Sequence, residues 1–224
     1  MIEHYTPDST AIEVQDGKLR FPETGTVDAP TPEESLALEA KGLQLDSEGR
    51  PLHPELARVI GEHGIRLGLS GFWHSWGPNY TADPLVLTPW PYKIALIRRK
   101  DNGKLALPGG FVDESDGYAQ YTAIRELDEE TGLNNKSGRL FNVETLYQGP
   151  VRDDRETIHA WPETTAVYME TDKEYLLTGA DDAIEDSADW YLIDDLNLDE
   201  LHGSHGMLVR MAVAHAKDKA LGRR

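Results

Sequence analysis

The chain has 224 residues, 39% of them hydrophobic, no cysteine and a formal net charge of −18. That length supports one substantial domain with a small extension, and the absence of any run approaching 18 consecutive apolar residues excludes a transmembrane helix. Without cysteine there is no disulfide, thiol nucleophile or thiolate zinc site, and the acidic balance argues against a nucleic-acid surface, which needs basic patches to neutralise phosphates.

In chain order, Met1-Ile2-Glu3-His4 has neither a basic nor an apolar region, so no signal peptide is expected and the cytoplasm is the default location. Ile12 to Phe21 alternates apolar and polar residues around Asp16-Gly17, which predicts a hairpin. Thr31-Pro32-Glu33-Glu34 is a capping box with Pro at the first helical position, opening a short helix to about Lys41. Residues 42–92 are rich in Gly, Pro and His with few periodic segments, and are expected to form an ordered but irregular extension. Its aromatic residues, Phe72, Trp73 and Trp76 among them, suit core packing or a stacking surface for a base.

From Lys93 the pattern becomes regular. Ile94 to Ile97 reads as a strand, Asn102-Gly103 as a turn, Leu105 to Leu107 as a second strand, and Pro108-Gly109-Gly110 as its break. A helix follows with Ala123, Ile124 and Leu127 on its buried side and Gly132 as a left-handed C-cap. Strands recur at Glu144 to Tyr147, Thr164 to Met169 and Trp190 to Ile193, and a last helix covers about Ser204 to Lys219. Strands interspersed with helices predict a sheet covered by helices. The expected division is an extension over residues 1–88 and the main domain over residues 89–224.

The middle helix carries the chemistry. Glu126, Glu129 and Glu130 stand at spacings 0, 3 and 4, which brings them onto one face. Like charges there repel, and a hard divalent cation such as Mg2+ both needs such oxygens and removes the repulsion. The alternative is a solvated acidic face. At average residue usage the run Arg125-Glu126-x-x-Glu129-Glu130-x-Gly132 arises by chance in about one chain in 10⁴ of this length, which favours the cation site.

This run resembles the Nudix box, Gly-x5-Glu-x7-Arg-Glu-apolar-x-Glu-Glu-x-Gly-apolar. The match is full from Arg125 to Leu133. Upstream, Asp116 stands six residues after Gly110 and Gly117 holds the position counted back from Arg125, as if the loop had one extra residue and Asp116 replaced the first glutamate. Further stretches in order, Trp76 to Pro84, Arg99 to Asp113, Tyr147-Gln148-Gly149, Arg155 to Thr164, Gly179 to Ala183 and Ser204-His205, are similar to the mitochondrial-type ADP-ribose pyrophosphatase subgroup and to the ADP-ribose-sensing domain of a melastatin channel.

The resemblance implies an α+β fold, an α/β/α sandwich around a mixed sheet, and Mg2+-dependent cleavage of ADP-ribose to AMP and ribose 5-phosphate, with Mn2+ as a substitute metal. Glu126, Glu129 and Glu130 would be metal ligands, with a Gly110 carbonyl and Asp116 as further ligands. Arg125 would orient a glutamate, although as a sequence neighbour it is not expected to share Glu126's face. Asp153 and Arg155 match ADP-ribose contacts or form a loop salt bridge. Ser204 and His205 suit an anion site at a helix start or core packing. Asp181 and Asp182 lie where Nudix enzymes place a mobile catalytic carboxylate, Asp182 being the candidate, or else are ordinary surface. Two other functions stay open: hydrolysis of a different nucleoside diphosphate derivative, and a module that binds ADP-ribose without cleaving it. The partner expected is a small nucleotide, with no nucleic acid and no membrane.

Overall fold

Nine strands and four α-helices are seen in the computed structural model, which describes residues 12–21, 27–134 and 136–222. The chain divides into two compact units, residues 1–79 with 152–162, and residues 80–151 with 163–224. Residues 80–88, expected in the extension, thus lie in the second unit, and residues 152–162 return to the first.

In the first unit the hairpin forms as read. β1 (Glu13–Gln15) and β2 (Lys18–Arg20) pair antiparallel with Val14 opposite Leu19, and the turn takes Asp16 at φ 51° and Gly17 at φ 79°, the twist two-residue hairpins prefer. The helix α1 (Pro32–Ala40) carries both reciprocal bonds of its capping box, between Thr31 and Glu34. Beyond it the region is more regular than its sequence suggests. A second helix, α2 (Leu56–His63), buries Val59 although its N-cap residue Glu55 makes no side-chain cap. The core gathers Phe21, Leu52, Val59, Ile65 and Ile158.

The strand β3 (Gly77–Leu87) also went unforeseen, because Pro78 and Pro84 read as breaks and its inner half is buried on both faces. It heads a seven-stranded sheet with β4 (Lys93–Arg98), β5 (Leu105–Ala106), β6 (Gly110–Phe111), β7 (Leu140–Pro150), β8 (Ala160–Thr171) and β9 (Asp189–Leu192). The spatial order is β5-β4-β3-β8-β7, with β6 on β3 and β9 on β4.

Period-two alternation then sorts the side chains of the second unit. Ala82, Val86, Ala95, Ile97, Val167 and Met169 share a core with Ala123 and Leu127 of α3 (Ala119–Thr131). Their neighbours Leu85, Leu87, Ile94, Leu96, Ala166 and Tyr168 share another with Leu208, Val209, Ala212 and Ala216 of α4 (His205–Ala220). Each face of the sheet is covered by one helix, the sandwich expected of this α+β fold. No helix among the described residues is long and apolar enough to cross a membrane.

Candidate functional site

The box helix α3 is set between two special turns. At its start Asp113 and Asp116 cap a short 3-10 turn, Glu114–Asp116, reciprocally, and Gly117 follows at φ 71°. At its end Gly132 takes the left-handed conformation, φ 70°, and donates to the Asp128 carbonyl. With Ala123 and Leu127 against the sheet, the next row round the helix is Glu126 and Glu130, 8% and 2% exposed. Glu129 lies further out, toward solvent.

The guanidinium of Arg125 reaches farther than its sequence neighbourhood suggests. Its Nη1 donates at 2.8 Å to Glu126 Oε1 and at 2.8 Å to Glu129 Oε2. Arg125 thus meets two glutamates from a different helix row: rows constrain Cβ directions, and an arginine stem is long enough to cross between them. Nη2 of the same group donates at 3.1 Å to Asp116 Oδ2 and at 3.2 Å to the Phe111 carbonyl. Asp116 also accepts from Thr122 Oγ1 at 2.8 Å. Arg125 and then Thr122 hold its carboxyl below the usual range. Asp116 is thus a partner of Arg125, and through Arg125 it is linked to Glu126.

Glu130 sits deeper. Its Oε2 accepts the Gly109 N–H at 2.9 Å. Burial pushes its pKa up to about 8, against the pull of the Gly109 N–H, and the Glu126 and Asp182 carboxylates push the same way. Burial also raises Glu126, opposed by Arg125, with Glu129 and Asp181 adding to the rise. The close approach of the Gly-Gly turn requires glycine. A Cβ on Gly110 would lie 2.4 Å from Glu126 Oε1, and one on Gly109, at φ 152°, would lie 2.4 Å from Asp83 Oδ1 and 2.8 Å from the Ala82 carbonyl.

Asp181 and Asp182, whose charges add to the rise at Glu126 and Glu130, lie on a loop tied to the end of β4. Lys100 donates its N–H to the Asp182 carbonyl at 3.1 Å and its ammonium to the Asp181 carbonyl. Ile184 N–H closes the loop on the Arg98 carbonyl at 2.8 Å. Asp83, Arg99 and Lys100 lie in stretches that carry the resemblance, but their own positions single out no role for them; sheet topology brings β3 and the end of β4 to the Gly-Gly turn and the loop of Asp182. Glu126, Glu130 and the backbone around Gly109-Gly110 offer carboxylate and carbonyl oxygens, the chain has no thiolate, and burial makes the carboxylates' negative charge costly. That donor set fits a hard divalent cation.

Ser204 and His205 stand at the N-terminus of α4. Ser204 makes no side-chain cap, and His205 Nδ1 accepts the Leu107 N–H at 2.8 Å, with its ring edge-on to His202. His205 therefore braces the strand leading into the Gly-Gly turn. Asp153 and Arg155 belong to the first unit, where they pair through Nε–Oδ1 at 2.8 Å, and the guanidinium lies 3.9 Å over the Phe72 ring. Trp73 donates Nε1–H to the Arg155 carbonyl, so these two aromatic residues frame the arginine. The same unit brings ligand atoms of Glu62, His63 and Glu156 within 4.8 Å of one another. The cation there is already present as Arg58, whose Nη1 bonds Glu62 at 2.8 Å and Glu156 at 2.7 Å.

Comparison with known proteins bears on this geometry. A NUDIX domain model matches residues 85–211. The chain is 32% identical over 214 residues to the mitochondrial ADP-ribose pyrophosphatase of Rattus norvegicus, covering 79% of this chain and 57% of that protein. It is 31% identical over 159 residues to a transient receptor potential cation channel subfamily M member-like 2 of Nematostella vectensis, covering 59% of this chain and 10% of the channel. It thus spans less than two thirds of these curated relatives. Among solved structures, the NUDIX domain of Shewanella oneidensis NrtR complexed with ADP ribose superposes with a TM-score of 0.51 at 22% identity, over 71% of this chain and 97% of that one.

Proposed function

We propose that this chain, which belongs to the Nudix family, hydrolyses the diphosphate bond of ADP-ribose to AMP and ribose 5-phosphate with Mg2+ as its cation. The observation that carries the reading is the buried pair Glu126 and Glu130 packed against Gly109-Gly110, with the Asp182 carboxylate adding to the rise at Glu130. Glu126 and Glu130 are the principal ligands, and Glu129 and the Gly110 carbonyl complete the set. When bound, the cation would neutralise the diphosphate and acidify an attacking water.

The protein's own residues do the positioning on which phosphoryl transfer depends. The Gly109 N–H fixes one oxygen of Glu130 and so limits rotation of that carboxylate. Arg125, itself oriented by Asp116, bridges Glu126 and Glu129 through one nitrogen and so limits the rotamers of both. To Asp182, on the loop tied to Lys100, we assign the holding of a proton. In the second unit His205 and Ser204 offer polar groups at a helix N-terminus; Arg155 of the first unit, pre-oriented by Asp153, is a separate planar fork suited to phosphate. The choice of ADP-ribose over other nucleoside diphosphate derivatives is supported by the name of the rat relative. The intact carboxylate set favours cleavage over binding alone.

The test is product analysis after incubation with ADP-ribose, with and without Mg2+. Glu126→Gln should lower turnover at least about a hundredfold with the fold intact, beyond the ~10–100-fold typical of groups that only support ligands. Equal turnover in that variant under saturating Mg2+ sinks the assignment.

A further inference from the structure

We propose that Asp83 is a positioning residue for this site: its buried carboxylate, held by Thr164, fills the space beneath Gly109 and fixes the Gly109-Gly110 turn against Glu130 and Glu126. The proposal rests on the reading of Glu126 and Glu130 as cation ligands.

Asp83 lies on β3 among Ala82, Leu85, Val86 and Leu87, and is 8% exposed. A carboxylate in such a place costs several kcal/mol of desolvation unless its oxygens are engaged. One is: Thr164 of β8 donates its hydroxyl to Oδ2. The other occupies the position that a Gly109 side chain would take, together with the Ala82 carbonyl. Gly110 pairs with Ala82 across β3 and β6, so the turn is gripped on two successive residues. From that gripped backbone the Gly109 N–H goes to Glu130 Oε2 at 2.9 Å, and Gly110 lies flush against the Glu126 carboxylate. A continuous line of contact thus runs from Thr164 through Asp83 and Gly109 to Glu130.

An aliphatic residue would fill the same volume in this apolar strand at less cost, yet it could not accept the Thr164 hydroxyl. The hydroxyl fixes the rotamer of Asp83, and that rotamer sets where the turn rests. Burial holds the group up at about 6, against the pull of Thr164 and Arg99. Because shape and acceptor capacity are what the turn needs, asparagine should serve nearly as well as aspartate.

The experiment is Mn2+ titration of the metal-free full chain, followed by the free-ion EPR signal. Thermal unfolding in EDTA is recorded for the same proteins. Asp83→Ala should weaken Mn2+ binding by about tenfold, in the range found when a ligand's supporting partner is removed, while Asp83→Asn stays within about threefold of wild type. Thr164→Val should follow Asp83→Ala, and Thr164→Ser should restore affinity. The Thr164 pair decides the matter should Asp83→Ala fail to fold. Wild-type Mn2+ affinity in Asp83→Ala or Thr164→Val, whatever happens to the unfolding temperature, overturns the proposal. So does an Asp83→Asn protein as weak as Asp83→Ala. Absence of Mn2+ binding by the wild type itself would instead remove the cation site on which the proposal stands.

Discussion

Replacing Glu130 by Gln should stabilise the metal-free protein at alkaline pH while abolishing its cation site. The structure supplies the magnitude. Burial and the neighbouring carboxylates lift Glu130 from 4.5 to about 8 in the folded chain, and each pH unit is about 1.4 kcal/mol. The folded pKa lies above the unfolded one, so the protonated group's contribution is complete below about 4.5 and is lost as pH rises through about 8. At pH 8 the ionising carboxylate therefore opposes folding by roughly 4 kcal/mol, and at pH 5 by less than about 1 kcal/mol. Glutamine never ionises and keeps an oxygen for the Gly109 N–H, but its amide sits in a pocket shaped for an acid. A net gain of about 2–3 kcal/mol at pH 8 is expected, equivalent to roughly 5–10 °C for a chain of this size. Melts in EDTA at pH 8 and pH 5, followed by circular dichroism, would show the variant ahead of wild type at the first pH and behind it by about 1 kcal/mol at the second. A difference that does not change with pH, or a Gln variant less stable at pH 8, would refute the reasoning.

Asp116→Asn should cost far less activity than Glu126→Gln, because Asp116 grips Arg125; steady-state kinetics giving equal losses would make it a direct ligand. Arg155→Lys should raise KM for ADP-ribose with little change in kcat, since lysine keeps the charge but loses both the fork on Asp153 and the flat face on Phe72; an unchanged KM removes Arg155 from the substrate's reach. The first unit should lose stability in acid. His159 is buried and held down at about 4, and Glu156, pushed up by burial, is pulled below its usual range by His53 and Arg58. Both folded pKa values are depressed, so stability present above about 6.5 falls as pH drops, His159 alone accounting for about 3 kcal/mol by pH 4. Tryptophan fluorescence during denaturant titrations at pH 7 and pH 4.5 would show the loss, and equal midpoints would contradict it.

How much of this was legible in the sequence depended on how local each signal was. The glutamate spacing on α3, the Gly132 cap, the Asp16-Gly17 hairpin and the α1 capping box are all written within a few residues, and each appears where expected. β3 was hidden because its prolines mimic loop punctuation and its inner half, buried on two faces, lacks alternation. α2 was hidden because it begins without a capping side chain. That Arg125 meets a glutamate was legible; that it meets Glu126 as well as Glu129 was not, because helix rows say nothing of how far an arginine stem reaches. The roles of Asp83 and Lys100 were not legible even though both lie in the stretches of resemblance, since strand order is what brings Asp83 under Gly109 and Lys100 to the Asp181-Asp182 loop.

The first unit is sewn from two separated stretches of chain, and that has a practical outcome for anyone cutting the gene. His53 N–H bonds the Ile158 carbonyl, Ile158 N–H bonds the Arg66 carbonyl, Gly77 N–H bonds the His159 carbonyl, and Thr157 bonds Gly68 through its hydroxyl. Residues 152–162 are therefore the missing thread of a fabric whose other yarns all lie before residue 80. A truncation beginning at Tyr80 would delete the weave and keep the thread, leaving Ile158, Ala160 and Trp161, all fully buried at 0% exposure, facing water as an adhesive patch. Clean excision would call for two cuts and a short bridging turn between Val151 and Glu163. The amino-terminal region is for this reason poorly suited to exchange as a detachable module, and swaps among relatives would have to carry both stretches together.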